Sequence, residues 1–182
     1  MLSKKVLILS TLTALALFFT FGCSSSTGSG VNVPTGQVKA NIDGEKWEAM
    51  GGTAVQISAN IGGNSVTAVT VAAANVIDQS SGDSEVVEVT IYGSPGEDSI
   101  SEGTYDVSEN ELPGAQFSFS LFVDDEIVSY FATSGTVEVT SVDDEEVKGT
   151  FEGTVERADD PSDTKDIENG QFNVGFGFSF GL

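Results

Sequence analysis

The chain has 182 residues, with 28 acidic and 7 basic side chains, one cysteine and no histidine. A formal charge of −21 repels nucleic acid and anionic lipid, which argues against a nucleic-acid partner. Without histidine, and with a single thiol, Ser-His-Asp and Cys-His nucleophiles, imidazole metal sites and intrachain disulfides are excluded; carboxylate chemistry and oxygen ligation of hard cations such as Ca²⁺ remain.

Lys4 and Lys5 precede an apolar run of 16 residues from Val6 to Phe21. A positive start and a greasy core shorter than the ~20 residues of a spanning helix predict a helical signal peptide over residues 1–22. Gly22-Cys23-Ser24 resembles the lipobox of bacterial lipoproteins. That resemblance implies cleavage before Cys23 and fatty acylation of its thiol. With serine, not aspartate, in the next position, it also implies an outer-membrane anchor. A signal anchor, or plain secretion with a free thiol, is the alternative. The mature part keeps only Lys39, Lys46, Lys148, Arg157 and Lys165 against all 28 acids, a formal charge of −23. Residues 23–35 continue as SSSTGSGVNVPT after the cysteine, a Ser/Gly-rich tether expected to be disordered.

From residue 36 the chain predicts one acidic all-β domain reaching residue 182. Asp43-Gly44 is a tight-turn pair joining Val38–Ile42 to Lys46–Met50. Val55, Ile57 and Ala59 lead into Gly62-Gly63-Asn64, and a return strand carries Val66, Ala68 or Val69, and Val71. Val87, Val89 and Ile91 alternate with Glu88 and Thr90; Phe117, Phe119 and Leu121 alternate with serines. The clearest hairpin spans 135–156: Val137 and Val139 face inward, Asp143 to Glu146 form the turn, and Val147, Gly149, Phe151, Gly153 and Val155 return. Nine or ten antiparallel strands are expected, as a β-sandwich or a partly open β-barrel.

The end of the chain, Phe172, Val174, Phe176, Phe178 and Phe180 alternating with polar or small residues, is similar to the assembly signal of outer-membrane β-barrels. Glu88, Glu138, Glu152 and Glu156 on outward positions oppose a lipid-facing barrel. The expected role of this strand is to close the sheet with its phenylalanines in the core; an exposed self-pairing edge is the other possibility.

Several segments together carry a family resemblance. Asn41-Ile42-Asp43-Gly44-Glu45-Lys46-Trp47 is followed by Gly103-Thr104-Tyr105, Ser134-Gly135-Thr136-Val137, Gly149-Thr150-Phe151 and Ile167 to Phe172. In order and spacing they resemble a family of small Gram-negative envelope lipoproteins of unknown function, over most of residues 37–174. The resemblance implies a compact all-β lipoprotein on a cell envelope and supplies no catalytic residues.

Candidate sites are few. Asp159, Asp160, Asp163 and Asp166, with Glu168, crowd the segment RADDPSDTKDIENG and have the chemistry of a Ca²⁺ loop without its established spacing. Trp47, Tyr92, Tyr105 and Tyr130 offer either an aromatic sugar platform or core packing, with Trp47 read as a plug at one end. A glycan hydrolase or lyase would need two carboxylates facing one another across a cleft. The expectation is a non-enzymatic envelope protein, held to the membrane by its lipid, with a protein or glycan partner.

Overall fold

The computed structural model describes residues 31–61, 64–108, 111–124 and 126–181; the leader, Cys23 and the tether up to residue 30 lie outside them. The described residues form ten strands and no helix. They are β1 (Gln37–Ile42), β2 (Glu45–Glu48), β3 (Gly51–Ile61), β4 (Asn64–Asp78) and β5 (Asp83–Tyr92), then β6 (Gly103–Asp106), β7 (Gly114–Val123), β8 (Glu126–Val142), β9 (Glu146–Arg157) and β10 (Thr164–Gly181).

The period-two patterns become strands where one face is apolar and the other wet. Val87, Val89 and Ile91 of β5 lie against Phe119, Phe117 and Ala115 of β7, and all are buried. Val137 and Val139 of β8 pair with Phe151 and Gly149 of β9, as the hairpin predicts. Its turn is held by Asp143, whose carboxylate accepts the N–H groups of Glu145 and Glu146 at 2.8 and 2.9 Å. At the first hairpin both Asp43 and Gly44 adopt positive φ, 53° and 79°, the geometry of a two-residue turn whose twist matches the strands.

The pairings β3–β4–β5–β7–β8–β9–β10 return to β3, so the sheet closes on itself. An odd circuit cannot alternate direction throughout, and one contact, β10 with β3, is parallel. That pairing departs from the all-antiparallel expectation. Two long strands make closure possible. One edge of β10 bonds β9, while its other edge meets first β1 and then β3. One edge of β8 bonds β9, while the other meets β7 and then β6. The remaining free edges, β2 and β6, are four residues each and carry charges, which discourages edge-to-edge pairing.

Inside the circuit the core is continuous, with Phe151, Phe172, Val71, Val89, Val137 and Ile167 almost fully buried. Each such side chain contributes about 1.5–3 kcal/mol by leaving water. Phe172 and Val174 are in this core, as expected; the side chains of Phe178 and Phe180 lie outside the described residues.

Two expectations are corrected. On β3 the inward residues are Gly52 and Ala54, while Val55 faces out and Ile57 is 42 % exposed. The tether also ends earlier than Thr35. Asn32 N–H donates to Gln171 Oε1 at 2.9 Å, Asn173 Nδ2 donates to the Val33 carbonyl at 3.0 Å, and Val33 is buried. Residues 32–35 are therefore strapped across the outer surface of β9 and β10.

Candidate functional site

The outer surface of the closed sheet is divided by charge. On one side β3, β4, β5 and β7 are consecutive neighbours with no lysine or arginine; their acids are Asp78, Asp83 and Glu85 toward the β4–β5 hairpin and Glu88 at mid-strand. On the other side β8, β9 and β10 present Glu138, Glu152, Asp166 and Glu168 outward.

A groove crosses this second side. Strand register places Thr104, Glu138, Thr150 and Gln171 in one row across β6, β8, β9 and β10, with Thr136 and Glu152 in the next. Together with Asn169 they line a depression of about 340 Å³ floored by Phe151 and Gly170. It continues past Gly135 and Gly153 to Thr154, Asp166 and Glu168. The glycines explain the dip. Gly135 and Gly153 pair directly at φ 138° and 153°, and a Cβ on Gly153 would overlap the Ser134 carbonyl, so only glycine lets the two backbones approach there.

The groove offers hydroxyls, amides and carboxylates from a rigid floor. Glu138 and Glu152 are diagonal neighbours, a relation that sets residues about 7–8 Å apart. They are the two groove carboxylates to weigh as the facing acid pair that a glycan hydrolase needs. Both are exposed, however, and neither has the apolar surroundings that a general acid requires.

The predicted Ca²⁺ residues are not brought together. Arg157 holds Asp159 at 2.6 Å and Asp163 at 3.5 Å; Asp163 also accepts the Tyr130 hydroxyl at 3.0 Å. Asp160 is occupied by the N–H and hydroxyl of Ser162. The loop read in the sequence stops at residue 163: Asp166 and Glu168 belong to β10, where Asp166 accepts from Thr154 at 2.9 Å. Among the described residues no three carboxylates converge as metal ligands. Lys165 crosses to Asp43 at 3.0 Å; burial pushes the Asp43 carboxyl up, but this bond and the Asp166 N–H outweigh it and hold it below its ordinary value.

The aromatic candidates do not share a surface either. Trp47 is 4 % exposed and packs in the core, Tyr105 is buried with its hydroxyl on the Ser101 backbone, and Tyr130 is buried beside Asp163. Only Tyr92 reaches the outside, half-buried on the charge-poor side. Core packing is the role the structure gives Trp47, Tyr105 and Tyr130. The groove residues carried no local signature because the site is assembled by register from four strands; the glycine pair Gly135 and Gly153 was its best sequence clue.

Glu88 is the mid-strand carboxyl of the opposite side. Its neighbours in register are Ala72 and Ser118, no cation lies on the flanking strands, and burial pushes its carboxyl above the ordinary glutamate range. Burial, and then the Glu88 charge, raises the Tyr92 phenol. A carboxyl whose pKa is higher folded than unfolded binds extra protons in the native state, so its contribution to stability is present at low pH and lost as pH rises through the folded value. Glu88→Gln should therefore raise Tm at neutral pH, and the gain should shrink as pH falls toward the ordinary glutamate range. Parallel melting curves with pH would show it; a gain independent of pH would reject burial of the charge as the cause.

Comparison with protein-family models, with curated proteins and with solved structures finds no match to this chain.

Proposed function

We propose that this protein is a lipid-anchored lipoprotein of a bacterial outer membrane that acts by binding, without catalysis. The leader ending at Gly22-Cys23-Ser24 and the envelope-lipoprotein resemblance support the location. The polar groove across β8–β10 carries the binding reading. Its ligand is rich in hydrogen-bond donors, as glycan hydroxyls and cationic side chains of a partner protein are. Nine positions separate Cys23 from Asn32, the first pinned residue, a reach of at most about 30 Å. The domain would thus stay close to the bilayer with the groove beside its strap. Acyl chains hold it there at roughly 0.8 kcal/mol per buried CH₂.

Cys23→Ser tests the anchor. In fractionated cells the wild-type protein should sediment with the outer membrane and label with a palmitate analogue, whereas the variant should be soluble and unlabelled. Retention of the variant in membranes would remove the anchor from the reading. Glu138→Gln with Glu152→Gln tests the groove: retention on an array of glycans and cationic peptides should fall while the melting curve stays unchanged.

A further inference from the structure

The charge-poor side of the sheet is the less expected surface. In register, Thr53, Ala72, Glu88 and Ser118 form one row, and Val55, Thr70, Thr90 and Gln116 the next. Apart from Glu88 these side chains are short or neutral, and two pairs of hydroxyls satisfy each other across strands: Thr70 with Thr90 and Ser120 with Ser129, both at 3.0 Å. Covering them costs little, because few polar groups would lose water without a partner. Exposed apolar residues lie on and beside this surface: Ile57 and Val76 point outward from it, and Ile127 at 65 % and Phe131 at 41 % point outward from the adjoining part of β8 that pairs with β7. Such a patch on a strongly acidic protein marks a contact surface.

We infer that this side of β3–β4–β5–β7 docks a second copy of the same chain, face to face. Two observations choose that occupant. The first is charge. A cationic partner is drawn to the groove side, where the carboxylates are, whereas two copies that each carry −21 can approach only where those carboxylates are absent. The second is area. Four strands at ~4.8 Å spacing and about nine residues at ~3.3 Å give roughly 600 Å² per copy and about 1,200 Å² in all, enough for a specific two-fold contact. The twist of each sheet then fixes the crossing of the two strand sets at about 30°. Glu88 sits near the middle and meets its own counterpart, so it weakens the pair and keeps it reversible.

The dimer does not depend on the lipid anchor or on the groove ligand. The test uses the full chain with a photo-crosslinking side chain in place of Thr70, or in place of Thr150 on the groove side. Illumination in cells should give a homodimer from position 70 and none from position 150, with the crosslinked peptides falling in β3–β7. Sedimentation of the purified chain should show a micromolar dimer. Glu88→Gln should tighten it about tenfold, and Thr70→Glu, which places a carboxylate beside each Glu88, should weaken it by about tenfold or more. Circular dichroism checks that both variants fold. Crosslinks to other proteins only, equal yields from both positions, or a monomer at every concentration with Glu88→Gln in place would overturn the inference.

Discussion

Phe172→Ala should lower stability by about 3–5 kcal/mol, a large fraction of the roughly 5–15 kcal/mol that keeps a domain folded. Phe172 is fully buried on β10 and packs against Phe151, with ring centroids 6.4 Å apart. Its strand partner on β9 is Gly149, where a Cβ would overlap the Phe172 ring and the Glu138 carbonyl. Phe151 stands in the same relation to Gly170 of β10. Each ring thus fills the place of a missing side chain on its neighbour, an aromatic cover for a strand glycine. Because both strands are fixed by their ladders, the space left by Phe172→Ala cannot collapse. Urea unfolding should show a lower midpoint with an unchanged slope. Gly149→Ala should cost about 1–3 kcal/mol by overpacking. The double variant should lose less than the sum of the two, since the clash with the ring is gone and only that with the Glu138 carbonyl remains. Strict additivity would mean that ring and glycine are independent.

The strands that could be read from sequence are those whose two faces differ chemically. Phe117, Phe119 and the serines between them have one arrangement that buries the rings, and the structure adopts it. On β3 the larger apolar residues, Val55 and Ile57, face out, while the inward positions hold the small or polar Gly52, Ala54 and Gln56. The reason lies in other strands: above Gly52 the space is already filled by Val174 Cγ1 and Val38 Cγ2, which a Cβ there would meet at 3.0 and 3.1 Å. A single strand cannot disclose what its neighbours put into the core. The start of β10 was hidden for a different reason. Between Thr164 and Gly170 the buried side chain is Ile167, and a bulge between Ile167 and Gly170 breaks the period, so a charged strand resembles a loop. The groove depends on this stretch and on a row of successive pairings that runs from Thr104 through Glu138 and Thr150 to Gln171. It became visible only with the register.

Lys148→Ala should cost about 3–5 kcal/mol, far more than a surface ion pair is worth. Lys148 and Glu146 meet at 2.7 Å with side-chain exposures of 6 % and 16 %, on the outward side of β9 beneath the N-terminal strap. Asn173, opposite Lys148 in register, holds the Val33 carbonyl, and Thr35 reaches Glu146 at 3.5 Å, so strap and ion pair cover one another. Removing the ammonium takes from the largely covered Glu146 carboxylate its ion partner at 2.7 Å. The penalty is the cost of keeping that charge out of water more than the lost attraction. Lys148→Met with Glu146→Gln should therefore recover most of the loss, because no charge is left and the new amide oxygen still accepts from Thr35. Screening separates this pair from the exposed one between Arg157 and Asp159: raised salt should leave the effect of Lys148→Ala nearly intact and erase that of Arg157→Ala. Hydrogen exchange gives a second readout. The Gly36 amide, bonded to the Asn173 carbonyl at 2.7 Å, should exchange faster in Lys148→Ala and regain protection in the double variant. If that amide stayed protected while the protein lost stability, the ion pair would serve the sheet alone and the strap would be held by its own hydrogen bonds.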